Sequence, residues 1–373
     1  MKVLMVSKAC VTASYRGKLF EMVSQDSGLE LTLVVPPQWG SLPYEAVADE
    51  PFRTRILPVR LSGRNHFHWY PGMGQVLQEE KPDLVHVDEE HYSLVTGLLF
   101  RETRRRRIPA LFFTWQNILK RYPLPFARTE QFVFRHAAGA IAGNQEAGDV
   151  LRQKGYGGPL AVIPQFGCDP DVFRPRAHSQ TRSAWGLAEG EVTVGYVGRL
   201  VPEKGLDTLL EAMIPILRVR PRTRLILAGS GPLQEYLSTQ IETAGLAAQV
   251  RLVPWTPSHQ MPDLMNALDI LVLPSKTTPT WKEQFGRVLP EAMASEVAVV
   301  GSTSGEIPRV IGDAGRVFEE GNARELRDVL EALLSDPVER HRLARRGRVR
   351  VRERFTQSAI ATDTLSFYRS ILA

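Results

Sequence analysis

The chain has 373 residues, of which 43% are hydrophobic, 23% charged and 8% aromatic. That length exceeds one ordinary core and predicts two domains of roughly 150–200 residues each, and the composition excludes wholesale disorder, a fibre and a small disulfide scaffold. The net charge of +5 is uneven, with 20 basic and 16 acidic residues in 1–168 against 26 and 25 beyond; this suits a phosphate-bearing ligand or an anionic membrane and is too weak for a dedicated nucleic-acid binder.

Short apolar, β-branched runs recur along the chain, separated by longer segments of helical periodicity, as in successive βα units with parallel sheets. In the first half they fall at 3–6, 31–35, 55–59, 84–87, 111–114, 140–142 and 160–163, and in the second at 192–197, 224–228, 250–253, 270–273, 298–300 and 316–318. Each half therefore reads as a doubly wound α/β sheet. Pro164, Gly167, Pro170 and Pro175 crowd one short stretch, which stops helix and central strand alike and marks the linker. The predicted domains are 1–165 and 166–355. Ile360, Leu365, Phe367, Tyr368 and Ile371 stand at helical spacings and predict a final helix over 356–373.

Cys10 and Cys168 are the two cysteines, in no metal or disulfide pattern. The opening apolar run is short for a signal sequence, and no stretch reaches the roughly 18–20 uncharged apolar residues of a spanning helix. The expectation is a cytoplasmic protein.

Two segments carry the chemistry. In Val194-Gly195-Tyr196-Val197-Gly198-Arg199-Leu200-Val201-Pro202-Glu203-Lys204-Gly205, a buried strand runs into a glycine turn. Arg199 and Lys204 flank that turn and can face one anion, and a helix over 206–218 would add the positive end of its dipole. The bland alternative is that both cations pair with Glu203 or solvent. The second segment, 274–294, places Glu283 and Glu291 eight apart, where they can accept hydroxyls from opposite ends of one elongated ligand. Between them the Phe285 and Gly286 amides lie near a helix start that Pro290 puts close to Gly286. Here the alternative is a solvated Glu291 and a Glu283 that serves the helix dipole.

Together these pieces resemble the retaining glycosyltransferases of family 4. The matching motifs are the Gly-Arg-x4-Lys-Gly loop at 198–205, Gly229-x-Gly231-Pro232, Glu283-x7-Glu291, Glu291-Ala292-Met293-Ala294 and Gly305-Glu306-Ile307-Pro308. The resemblance is dense over roughly 160–320 and sparse before it. It implies the GT-B fold: two facing Rossmann-like domains with parallel sheets and an interdomain cleft, the last helix packing back on the first domain. It also implies a sugar moving from a UDP- or GDP-linked donor to an acceptor hydroxyl with retention, in cell-surface polysaccharide or glycolipid synthesis, without cofactor or metal. Arg199, Lys204 and Glu283 would be catalytic. Gly198, Thr256, Phe285, Gly286 and Glu291 would bind donor, with backbone near Trp255 and Thr256 meeting the base. The acceptor, a carbohydrate or glycolipid, would bind the first domain.

The chain departs from the family's pattern in that domain. Its first loop, 7–18, lacks the usual glycine pair, and Lys8, Arg16 and Lys18 are candidates to replace the phosphate contact. Trp115-Gln116-Asn117 stands where many members have a histidine, so Gln116 or Asn117 would meet sugar. His86 is a further candidate substrate contact, against a structural histidine. Asp169-Pro170-Asp171 matches a metal motif of another glycosyltransferase fold, but its proline-rich setting argues against metal. The run 104–107, four arginines, is a candidate for anionic membrane or an ordinary solvated helix end. The rival readings are a sugar-nucleotide epimerase and a non-catalytic nucleotide-sugar or membrane-surface binder.

Overall fold

A computed structural model describes residues 1–177 and 179–373. In chain order its first elements are β1 (Lys2–Val6), α1 (Gly17–Gln25), β2 (Glu30–Val35), β3 (Gln38–Trp39), β4 (Leu42–Pro43), β5 (Arg53–Ile56), α2 (Met73–Glu80), β6 (Leu84–Val87), α3 (Leu94–Arg106), β7 (Ala110–Thr114), α4 (Phe126–His136), β8 (Gly139–Ala142), α5 (Gln145–Gln153) and β9 (Leu160–Val162). Then come α6 (Ser179–Ala184), β10 (Val192–Val197), α7 (Leu206–Val219), β11 (Thr223–Ala228), α8 (Gln234–Thr243), β12 (Val250–Val253), α9 (Met261–Asn266) and β13 (Ile270–Leu273). The chain closes with α10 (Val288–Ala294), β14 (Ala298–Ser302), α11 (Ile307–Ile311), β15 (Gly315–Phe318), α12 (Ala323–Ser335), α13 (Pro337–Arg354) and α14 (Gln357–Leu372).

Two compact units result, Met1–Gly167 with Gln357–Ala373, and Cys168–Thr356. The first crossing lies two residues beyond the expected boundary and the second one residue beyond. Each falls where the linker backbone pairs within the second unit: Cys168 N donates to Phe355 O at 2.7 Å.

The first unit holds a seven-stranded sheet in the order β5-β2-β1-β6-β7-β8-β9, with every pairing parallel. Its strands are continuous apolar runs because helices cover both faces. Alternate residues go to opposite sides. Val3 and Met5 join Leu19 and Met22 of α1 and Ile360, Leu365 and Tyr368 of α14, while Leu4 and Val6 join Val76 and Leu77 of α2 and Leu99 and Phe100 of α3. The short β3–β4 hairpin carries no periodicity that a sequence reading could detect. The strand expected over 55–59 runs instead over Arg53–Ile56, since Pro58 cannot donate to the ladder.

In the second unit six parallel strands take the order β12-β11-β10-β13-β14-β15. Its core is separate, built on Val194, Tyr196, Leu225, Leu227, Ile270 and Val272 with Leu209 and Met213 of α7. The helix expected from about Gly286 begins two residues later, at Val288, because Gly286 is left-handed with φ +70°. Glu291 consequently lies in the first turn. In both sheets the strand order reverses once beside the first strand of the unit, between β1 and β6 and between β10 and β13. Open α/β sheets bind ligands beyond the carboxyl ends of the strands at such a reversal.

Candidate active site

In the second unit, β10 ends in Gly198 and Arg199, and a turn at Pro202–Lys204 leads through Gly205 into α7. Gly205 has φ +66°, and a Cβ there would lie 1.9 Å from the Pro274 carbonyl oxygen. Glycine is thus what lets the helix begin against the loop after β13. A Cβ on Gly229 would likewise come within 1.8 Å of the Gly198 carbonyl oxygen, so the Gly-x-Gly-Pro loop packs backbone to backbone against the Arg199 loop. The Tyr196 hydroxyl donates to Arg199 O at 2.7 Å and fixes that turn from below.

The loop after β13 supplies the carboxylate. Lys204 Nζ donates to Glu283 Oε2 at 2.6 Å, and the same oxygen accepts from Ser275 Oγ at 2.8 Å. Trp281 lies under the ammonium, its ring centroid 4.7 Å away. Both side chains of the pair are largely buried, which strengthens their attraction and holds the lysine in one place. Glu306 N donates to the Glu283 carbonyl at 3.2 Å, and Gly305 sits where a Cβ would clash with that carbonyl. The Gly-Glu-Ile-Pro motif therefore positions the backbone of Glu283. Arg199 is two-thirds exposed and stands 3.7 Å from Glu203, a loose surface pair that leaves its guanidinium available to a ligand.

Beside this pair lies a cavity of about 270 Å³ lined by Gly198, Arg199, Gly229, Trp255, Thr256 and Arg287, among others. Glu291 stands beside its Arg287 wall, accepting from Arg287 Nε at 3.0 Å. Burial raises the Glu291 carboxyl to about 7, against the pull of Arg287. Thr256 bonds locally, its hydroxyl donating to Pro254 O at 3.3 Å, and Trp255 is 68% exposed at the mouth. Phe285 packs edge-on against Phe355, so its side chain serves the core.

Several first-unit candidates have partners within the protein. His86 is a buried residue of β6, and its Nδ1 shares a 2.5 Å hydrogen bond with the Tyr368 hydroxyl of α14. Burial and nearby Lys18 hold its imidazole well below the usual range, hence neutral. Arg16 is fully buried and is taken up by the Glu50 carboxylate, the Glu45 carbonyl and the Tyr44 hydroxyl. Lys18 is 3% exposed, and its charge acts on buried Asp88 and His86. Gln116 donates to Ile118 O at 2.6 Å, and Asn117 donates to Glu146 at 3.2 Å. Asp169 accepts from the backbone N–H groups of Asp171 and Val172, which makes it the anchor of a turn. Of the four arginines, Arg105 and Arg106 pair with Glu102 at the end of α3.

Trp281, Ser275 and the side chain of Arg287 contribute to the site without having been singled out by sequence. All three lie in the 274–294 segment, where the signal was the run of unusual polar and aromatic residues between strand and helix. Glu89 was also passed over, because an acidic triplet after a strand looks like a solvated turn.

Comparison with known proteins gives two family matches in chain order. The glycosyl transferase 4-like domain matches residues 24–166, and glycosyl transferases group 1 matches 178–350. A D-inositol 3-phosphate glycosyltransferase of Segniliparus rotundus is 33% identical over 57% of this chain and 47% of its own length. A GDP-mannose-dependent monoacylated alpha-(1-6)-phosphatidylinositol monomannoside mannosyltransferase of Corynebacterium glutamicum is 33% identical over 48% of this chain and 47% of its own length. The chain thus spans about half the length of these curated relatives. Among solved structures, sucrose-phosphate synthase from Thermosynechococcus elongatus aligns over 100% of this chain and 99% of its own with TM-score 0.75 at 20% identity. Anabaena HepE in complex with UDP aligns over 99% of this chain and 100% of its own with TM-score 0.74 at 21% identity. Matched in both halves and built as two doubly wound sheets, the chain belongs to the family 4 glycosyltransferases of GT-B fold.

Proposed function

We propose that this chain transfers a sugar from a UDP- or GDP-linked donor onto an acceptor hydroxyl with retention at the anomeric carbon. The observation that carries the reading is the Lys204–Glu283 pair at the reversal between β10 and β13, with Arg199 beside it and the α7 N-terminus behind it. The nucleoside would enter the cavity at Trp255, Thr256 and Arg287, with its ribose hydroxyls donated to Glu291. Lys204 and Arg199 would then meet the diphosphate, and Glu283 the hydroxyls of the donor sugar. As the bond from the anomeric carbon to phosphate oxygen breaks, negative charge grows on the diphosphate, where cations and helix amides already point. The acceptor oxygen bonds to the same face of that carbon, its proton passes to the departing phosphate oxygen, and nucleoside diphosphate leaves. No protein nucleophile is needed, and the charge stabilisation comes from side chains, so we include metal independence in the proposal. Synthesis of a cell-surface polysaccharide or glycolipid at the cytoplasmic face is the setting we assign, by analogy with the lipid-linked substrates in relatives' names.

The test is nucleoside diphosphate release from a panel of UDP- and GDP-sugars, with and without acceptor. Release that depends on Lys204 and Glu283 supports the reading. Interconversion of donor sugars without release would instead favour an epimerase, and tight donor binding without turnover a silent binder.

A further inference from the structure

The two strand-order reversals carry opposite chemistry. Beyond β10 and β13 stand a glycine turn, two cations and the start of a 14-residue helix. Beyond β1 comes Ser7-Lys8, and beyond β6 three successive carboxylates, Asp88, Glu89 and Glu90. The Lys8 ammonium pairs directly with Glu89. Asp88 Oδ2 accepts from Ser7 Oγ at 2.6 Å and from Gln165 Nε2 at 2.9 Å, while Glu90 accepts from Thr114 Oγ1 at 2.5 Å and from Trp115 N at 2.9 Å.

Around Glu89, buried polar groups keep unused hydrogen-bonding capacity. His68 is fully buried, and its Nε2 stands 3.5 Å from Glu89 Oε1. Among the described residues neither His68 ring nitrogen has a hydrogen-bond partner, and the same holds for Asp88 Oδ1 and the buried Tyr70 hydroxyl. Orphaned polar atoms from two segments, at 68–70 and at 88, near one carboxylate, call for a polar ligand. Glu89 itself is fully buried, beneath a mouth where the Lys8 and Glu90 side chains are 20% and 22% exposed. Trp39 is half-buried there, its ring 4.6 Å from that of His68 and 5.4 Å from the Lys8 ammonium.

We infer that the acceptor binds at the reversal between β1 and β6, and that it is an uncharged, hydroxyl-rich sugar or polyol rather than a phosphate-bearing one. Glu89 accepts an acceptor hydroxyl, Trp39 offers an aromatic face to the apolar side of the ring, and His68, 3.5 Å from Glu89, faces the same carboxylate. A phosphate would meet three carboxylates with the single lysine at the mouth already paired, and desolvating it there is unfavourable. The inference rests on the reading of the chain as a glycosyltransferase.

The full chain is assayed with methyl glucoside, methyl mannoside and myo-inositol against glucose 1-phosphate and inositol phosphate. Nucleoside diphosphate release is measured beside acceptor-free donor hydrolysis, and acceptor binding beside both, by saturation-transfer NMR. The expected result is stimulation by at least one uncharged acceptor and none by the phosphates. Glu89→Gln should raise the acceptor KM at least tenfold; Trp39→Ala, at the mouth, repeats the test if Glu89→Gln fails to fold. Equal or better stimulation by the phosphates, or an acceptor KM unmoved in these variants, overturns the inference. If no donor turns over at all, the glycosyltransferase reading has failed instead. The NMR arm then decides this site: methyl glycoside binding lost in Trp39→Ala upholds it, and no binding to the unaltered chain overturns it.

Discussion

Lys204 and Glu283 are joined at 2.6 Å before any ligand is considered, which decides how each substitution should read. Lys204→Ala removes a preplaced cation and should lower nucleoside diphosphate release by roughly 10²–10³, the loss usual for one donor aimed at developing charge. Steady-state release measured on a melt-checked variant tests this. Glu283→Gln frees the lysine while losing a hydroxyl acceptor, so its donor KM should rise as well as its kcat fall. Glu291 gives a pH signature. Its folded carboxyl titrates near 7 against 4.5 for the ordinary group, so the folded state holds the extra proton between those values and stability falls as pH rises from about 4.5 through about 7. Glu291→Gln avoids that cost and should raise Tm by roughly 2–4 °C at pH 8 with no gain at pH 5, in paired thermal melts. The same titration should tighten nucleotide-sugar binding from pH 6 to pH 8, since the carboxylate is the better hydroxyl acceptor, and calorimetry on Glu291→Gln should find this slope gone.

At the scale of the element, the glycine turns decide whether the loops can meet. Gly205→Ala must push against the Pro274 carbonyl and also adopt φ +66°, so it should cost at least about 1–3 kcal/mol in denaturant unfolding and lower donor affinity too. The strand positions were legible because parallel strands buried on both faces are unbroken apolar runs, as at Val192–Val197 and Ile270–Leu273. The glycine turn, Lys204, Glu283 and Glu291 were legible for a similar reason: their spacing places them at strand ends and helix starts. His86 misled because a histidine near the carboxyl end of a buried strand looks the same in sequence whether it faces a ligand or the core, and only its contact with Tyr368, 282 positions away, separates them. Arg16 misled for the same reason, its partners Tyr44, Glu45 and Glu50 coming from a loop with no periodicity. The Glu89 cluster was illegible because His68 and Trp39 reach it from irregular segments.

For the whole molecule, α14 ties the end of the chain to the first unit. Ile360, Leu365 and Tyr368 are all at most 2% exposed and complete the face built on Val3, Met5, Leu111 and Phe113, while the second unit's core uses no residue of that helix. Burying three such side chains is worth roughly 1.5–3 kcal/mol each, a large share of a domain's net stability. A chain ending at Thr356 should therefore lose hydrogen-exchange protection in β1 and β6 and keep it in β10 and β13. Equal loss in both sheets would contradict two separate cores.

The central claim is that the second unit's cationic turn drives departure of a nucleoside diphosphate. Its most direct test is the rate at which the full chain releases UDP or GDP from nucleotide sugars, compared with Lys204→Ala under the same conditions. The account predicts release from at least one donor and a fall of about a hundredfold or more in the variant. An unchanged rate in a folded Lys204→Ala chain would contradict it.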